Sequence, residues 1–170
     1  MKKLFLTCSA VAVLLIACDK EDSDNMELNS TDQAFITQVA FSNSAEISAG
    51  QLAATKGTDA AVRAYGQLMV TEHGQAQTEL KTLGTSVGLN VLDSVDALHQ
   101  SIMQHLDTLT GYSFDTAYIN NQVNVHESTL NIFQNEISTG GHQEVKAYAS
   151  KYLPAIQMHY NKADSLQNEL

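Results

Sequence analysis

Four residues of metal-ligand type interrupt stripes that are otherwise apolar at helical spacing. Glu46 falls in the series Phe35, Val39, Ser42, Glu46, Ala49, Ala53, and His73 in Met69, His73, Ala76, Leu80. His126 interrupts Ile119, Val123, His126, Leu130, Phe133, and His159 does the same in Ile156, His159, Ala163, Leu166. A buried carboxylate without a partner is costly, and buried imidazoles need hydrogen bonds or ligation. One transition metal ion would satisfy all four groups together, since three imidazoles and a carboxylate suit zinc, iron or manganese. The alternative is a metal-free Glu–His hydrogen-bond network inside the core. A single core histidine would favour that alternative; one ligand-type residue in each of four stripes makes the metal a serious competitor. Glu72 and Glu127, next to His73 and His126, project about 100° away and read as supporting or surface groups. Met69 and Met158 read as packing, and His99, His105 and His142 as surface residues.

These side chains meet only if the elements carrying them are arranged correctly. From Thr31 onward the pattern is helical almost throughout. Ser30 or Thr31 offers a cap with Asp32 in the first turn, and Gly57-Thr58-Asp59 breaks that helix and caps the next. Gly84 and Gly88 end the second helix, a crossover with a shorter helix near 94–109 follows, and Gly111 precedes a third long helix. Gly140-Gly141 turns into the fourth, where Pro154 is expected to kink the helix one turn before His159. No strand-like alternation appears and proline occurs once, so the reading is an all-α bundle. A weak repeat at an offset of 83 supports pairing: Val62-Arg63-Ala64-Tyr65 recurs as Val145-Lys146-Ala147-Tyr148, Phe35-Ile36 as Tyr118-Ile119, and Ile47 aligns with Leu130. Two related hairpins joined by a lengthwise crossover make helices two and three parallel, the ferritin-like connection. Measured from one end of such a bundle, Glu46, His73, His126 and His159 stand at levels of roughly 11, 16, 15 and 10 residues, a spread of about 6 Å once side-chain lean is included. An up-down-up-down order would scatter them.

The chain begins with Lys2-Lys3, an apolar run over 4–17 that is too short to span a bilayer, and Leu15-Ile16-Ala17-Cys18. This looks like a lipoprotein signal peptide (1–17) with Cys18 as the lipidated residue, followed by an acidic tether (18–30) and a single bundle domain (31–170). Several acyl chains on Cys18 would anchor the protein to a membrane stably. The tether Asp19-Lys20-Glu21-Asp22-Ser23-Asp24-Asn25 resembles acidic export stretches of surface lipoproteins, with a plain solvated linker as the alternative. The expected location is the cell envelope, at the outer membrane on its periplasmic or surface side, with the leaflet left open because Asp19 directly after the cysteine would suggest inner-membrane retention in enterobacteria. Without Lys2 and Lys3, seven basic residues face nineteen acidic ones, a net charge of −12, which argues against nucleic acid and anionic lipid surfaces as partners. Removal of Cys8 with the signal leaves Cys18 alone, so disulfides, zinc–thiolate sites and thiol catalysis are excluded from the mature chain.

Asp32-x-x-Phe35, Ala45-Glu46-Ile47, Met69-Val70-x-Glu72-His73, Phe114-Asp115-x-Ala117-Tyr118, His126-Glu127 and Leu153-Pro154-x-x-x-x-His159 occur in this order. The set resembles the ferritin-like domain-of-unknown-function family 4142, often labelled a predicted outer membrane protein, over nearly all of 32–166. The resemblance implies a ferritin-like bundle and an envelope location but no agreed activity. Di-iron ferritins carry two Glu-x-x-His pairs, whereas here Val70 precedes His73 and Ile156 precedes His159 by three residues. A mononuclear, histidine-rich site is therefore the expectation if a metal binds. No Gly-x-Ser-x-Gly, phosphate loop or zinc-protease motif is present, so the sequence favours a binding protein, or a membrane-tethered interaction or structural module, over an enzyme.

Overall fold

The computed structural model describes residues 27–170; the residues read as a signal peptide, Cys18 and the segment read as a tether, as far as residue 26, lie outside the described residues. Five helices follow in order: α1 (Ser30–Lys56), α2 (Ala60–Ser86), α3 (Ala97–Thr108), α4 (Gly111–Thr139) and α5 (Gln143–Glu169). Among the described residues there is no strand, and no helix is long and apolar enough to cross a membrane.

Helix α1 starts one residue earlier than the serine and threonine caps predict. Asn29 caps it by accepting from the Asp32 N–H at 2.9 Å, while the Asp32 carboxylate accepts from the Asn29 N–H at 2.8 Å. This reciprocal pair satisfies two amides that the first helical turn leaves free. Asp59 caps α2 as expected, accepting from Ala61 and Val62. Helix α2 passes through Gly84 and stops at Ser86, with Gly88 taking the left-handed φ of +76° just beyond. In α5 Pro154 sits on the exposed face, and the helix continues on both sides of it. The backbones of α1 and α2 approach closely where Gly50 faces Gly66: a Cβ on Gly66 would lie 2.7 Å from the Gly50 carbonyl oxygen. Only glycine permits that approach.

Contacts at the two ends define the topology. At one end Asn29 donates to the Thr139 carbonyl and Ser86 bonds Glu144, which brings the start of α1, the end of α2 and the α4–α5 turn together. At the other end the α1–α2 turn lies against the start of α4, and Tyr112 donates to the Leu170 carbonyl at 2.6 Å. Helices α2 and α4 therefore run parallel, joined by the crossover that carries α3 along α1 and α4. This is the ferritin-like arrangement: four long helices with a long helical crossover between the second and third.

Each hairpin is clasped to the other by a buried aspartate. Asp115 on α4 accepts from the Thr58 N–H at 3.0 Å, the Asp59 N–H at 2.8 Å and the Thr58 hydroxyl. Asp32 on α1 accepts from the Gly141 N–H at 3.0 Å and the His142 N–H at 3.1 Å. Asp32 and Asp115 are themselves 83 residues apart, as are the two turns they hold. The clasp also corrects the expectation for His142: it is buried, because its backbone is drawn onto Asp32. Burial raises the Asp32 carboxyl, but the amides of His142, Asn29 and Gly141 outweigh this and leave it below the ordinary aspartate value. Glu136 is fully buried nearby, and burial together with the adjacent Asp32 carboxylate pushes it up to about 7.

Between the ends the core divides in two. One cluster contains Phe35, Val39, Leu80, Leu130, Phe133, Val145, Tyr148 and Ile156, with Phe35 edge-on to Phe133 at 5.0 Å. The other contains Ala53, Val62, Tyr65, Met69, Phe114, Tyr118, Ile119 and Ala163. Two tyrosines cross-link the helices on either side of the gap: Tyr65 donates to the His159 carbonyl at 3.2 Å, and Tyr148 to the Ala76 carbonyl at 3.1 Å. These bonds too are related by the offset of 83.

Urea unfolding read at several pH values tests these assignments. Asp115→Ala strands the Thr58 and Asp59 amides and is expected to cost about 2–4 kcal/mol with an unchanged m-value. Glu136 keeps its proton in the folded chain after the unfolded carboxyl, near 4.5, has lost it. The Glu136 contribution to stability should therefore be lost as pH rises from 4.5 towards 7, by about 2–3 kcal/mol. It is read as the difference between wild type and Glu136→Gln across that window, since the lowered histidines push the total in the opposite direction.

Candidate metal centre

His73 on α2, His126 on α4 and His159 on α5 enter the space between the two apolar clusters. All three are buried, and one nitrogen from each lies within 4.8 Å of the other two. The ring centroids are 5.2 to 5.7 Å apart. The parallel alignment of α2 with α4 and the clasps at each end bring these rings to one level.

Each ring has one nitrogen held by an acceptor. His126 Nδ1 lies 2.9 Å from the Gln122 carbonyl oxygen, one turn back on its own helix. His159 Nε2 lies 2.7 Å from the Glu72 carboxylate. His73 Nδ1 lies 2.9 Å from the Asn43 side-chain oxygen. The direction of that last bond is set from the surface. The Gln77 amide nitrogen must face two acceptors, the Asp93 carboxylate at 3.0 Å and the Leu92 carbonyl at 3.4 Å. Its oxygen then accepts from the Asn43 amide nitrogen at 3.3 Å, which turns the Asn43 oxygen towards His73. Lys81 holds the outer end of the relay through Asp93 at 2.6 Å.

A ring nitrogen facing an acceptor carries the proton, so the other nitrogen presents its lone pair. Those other nitrogens, His73 Nε2, His126 Nε2 and His159 Nδ1, are buried and have no hydrogen-bond partner. Burial, then the neighbouring His126 and His159, holds His73 well below the ordinary imidazole range. Burial and His126 lower His159 to about 4, despite the opposing Glu72 carboxylate. Both rings are neutral at physiological pH.

Glu46 does not join this group. It is buried, but its oxygens lie outside the set that meets within 4.8 Å. One oxygen has no partner, and its charge adds to burial in raising the Tyr65 and Tyr118 phenols. The position on α1 that reaches the histidines is Asn43, where the stripe had been drawn through Ser42, which is half-buried. The repeat held a signal for this: Asn43 aligns with His126 at the offset of 83. Gln77 and Gln122 are further buried polar residues that the apolar stripes did not reveal. Glu72 supports His159, while Glu127 and His105 are exposed. His99 is half-buried against Asp96, and Met158 is exposed rather than packed.

A cavity of about 150 Å³ opens beside the rings between α2 and α5. His73, His159, Ile156, Phe133 and Tyr148 form its inner wall, and the partly exposed Glu72 stands at its rim.

Fold and site together define a ferritin-like four-helix bundle with a buried histidine triad at mid-height. The profile of the domain-of-unknown-function family DUF4142 matches residues 18–166, and the chain belongs to that family. No curated protein matches the sequence. Among solved structures, a DUF305 fragment from Deinococcus radiodurans superposes with a TM-score of 0.70, covering 84% of this chain and 99% of that one. Its sequence identity is 10%, so the likeness is one of fold alone.

Long-range proton–nitrogen correlation spectra of the apo protein check the tautomers. His73 and His126 should carry the proton on Nδ1 and His159 on Nε2, with His73 and His159 still neutral at pH 6. Asn43→Leu should release His73 into a tautomer mixture while leaving His159 as it is.

Proposed function

We propose that the protein is an envelope lipoprotein that binds one transition metal ion through His73, His126 and His159. One observation carries this reading: three buried imidazoles bring one nitrogen each within 4.8 Å of the others, and each ring keeps one buried nitrogen with no donor to satisfy it while an acceptor holds the other. Hydrogen bonds among the rings would require a proton on one of these nitrogens, against the acceptors that hold it elsewhere. A cation needs only the lone pairs. Glu72 beside His159 Nε2 has the form of the carboxylate–histidine support that metal-ligating imidazoles ordinarily have. Three nitrogens around a tetrahedral ion would stand about 3.3 Å apart, so ligation draws the rings together by an ångström or so.

Three imidazole ligands favour zinc or iron, and disfavour manganese, which prefers oxygen donors. Three protein ligands leave a position free on the ion, as in catalytic rather than purely structural zinc sites. Glu46 is assigned to the neighbouring Tyr65–Tyr118 layer, not to the ion. Membrane attachment rests on Cys18 and the residues before it, and the acidic charge is consistent with a protein kept off anionic surfaces except through its anchor.

The competing reading is a tethered interaction module whose histidines serve only the core. The feature favouring it is a shallow, largely apolar groove along α1, α3 and α4, lined by Phe41, Ile102, Val125 and Ile132 beside the exposed Leu98.

Elemental mass spectrometry separates the two readings. The protein is measured as purified and after reloading with zinc, iron, manganese or copper, beside a His73→Ala/His126→Ala variant. About one metal per chain, lost in the folded variant, is expected; equal, negligible metal in both would establish the metal-free network. The anchor is tested by metabolic labelling with a radiolabelled fatty acid. Label should enter the wild-type chain and not Cys18→Ser, and label in neither would overturn the lipoprotein assignment.

A further inference from the structure

Charge divides the bundle into two unlike sides. Helix α1 packs on α2 and α4 on α5, so α1 and α4 make one side, with α3 lying on them, and α2 and α5 make the other. On α2 and α5 every Asp, Glu, Lys and Arg is at least partly exposed, four on the first helix and six on the second. Helices α1 and α4 hold six between them, but Asp32, Glu46, Asp115 and Glu136 are buried, which leaves Lys56 and Glu127. Helix α3 adds Asp107, paired with Lys56 at 3.0 Å, and its capping Asp96 is paired with His99 at 2.7 Å. In a chain of net charge −10, one long side is thus almost free of unpaired charge.

That side is stepped. Helix α3 covers half of it: its last turn reaches the end of α1 through Asp107, and its first stands beside Ser42 and Val125. Over the other half the seam between α1 and α4 is open, as two grooves of about 420 and 390 Å³ that share Gln38 and Ile132. Phe41, Val125 and Ile132 line it among the side-chain amides of Gln38, Asn131 and Asn135. From Ser30 to Ser42 the open seam runs about 18 Å, and the 12 residues of α3 run the same length. Leu98, 68% exposed, stands on the step.

We infer that a second copy of this chain docks here, about a two-fold axis that lays α3 of each copy into the open α1–α4 seam of the other. Two copies of an acidic chain repel over most of their surface and least across this side. Amide and hydroxyl side chains carry both donors and acceptors, so a patch of them is matched by itself, as an isologous contact requires. Step and seam have the same length, so one surface supplies both knob and hole. The whole side measures about 40 Å by about 20 Å, on the order of the 800 Å² that each partner of a stable complex buries. Depletion of charge is also what the centres of such interfaces show. The contact does not depend on a metal and holds under either reading of the histidines.

Sedimentation equilibrium without added metal tests it on residues 27–170, which contain all five helices, both core clusters and both aspartate clasps. The mass of two chains is expected at the upper end of a range from about 1 to about 100 µM. Ala34→Glu and Leu98→Glu change exposed positions at the seam and the step. Each places a negative charge in a contact with no cation to receive it, and should weaken association by at least about tenfold. Gln157→Glu, exposed on α5, should leave it unchanged, with circular dichroism establishing that every variant is folded. Raising salt should strengthen the dimer, because it screens the repulsion left between two acidic chains. A single-chain mass throughout would overturn the proposal and leave the seam to another partner. So would a dimer that salt dissolves, or that Gln157→Glu weakens and the seam variants do not, since its contact lies on the charged side.

Discussion

The axial position of one hairpin against the other is set by two buried aspartates at opposite ends of the bundle. Each lies near the start of its hairpin and accepts the amides of the other hairpin's turn. Ridges of side chains alone permit neighbouring helices to slip by a turn, about 5.4 Å. A carboxylate accepting several N–H groups does not, because a slip leaves both the charge and the amides buried without partners. The three imidazoles meet within 4.8 Å, a tolerance smaller than one turn. The alignment of the middle therefore depends on electrostatics at the ends, some distance from the rings themselves.

The histidine layer weakens the fold where it sits. It splits the core into two apolar clusters and buries three ring nitrogens that make no hydrogen bond. Each such group costs on the order of 1–3 kcal/mol. The surroundings limit that loss with fixed partners: a carbonyl within the helix, the Glu72 carboxylate, and the Asp93–Gln77–Asn43 relay. The tyrosines on either side bond the backbone of the facing helix and hold the layer's height. A polar network oriented on one side and bare on the other is the feature on which the proposed cation site rests. The low dielectric that makes the bare nitrogens costly also strengthens any charge–dipole interaction there.

The internal repeat explains why the site is asymmetric in a nearly symmetric frame. The aspartates, the turn glycines and the cross-linking tyrosines all recur at the offset of 83. The ligand residues do not: His126 aligns with Asn43, His73 with Ile156 and His159 with Ala76. One half of the pseudo-symmetric layer is thus imidazole, and the other is an amide and two apolar side chains. The cavity between α2 and α5 is lined by both members of two of these pairs, His73 with Ile156 and His159 with Ala76.

Sequence alone was sufficient for the helices, their order and the histidines. Period and turn chemistry are local properties, and a repeat of glycine turns plus a long crossover leaves few topologies. The levels of His73, His126 and His159 followed from counting residues to the turns, since helical rise is fixed. What counting could not supply was azimuth. Glu46 stands near the right height but acts on the Tyr65 and Tyr118 phenols, and Asn43 rather than Ser42 reaches His73, because the rotation of a helix about its axis is set by packing and not by residue count. The burial of His142, the tautomers and the relay from Asp93 likewise depend on partners far away in the chain. Those were settled only by tertiary packing, which fixes rotations and hydrogen-bond direction where sequence fixes period and length.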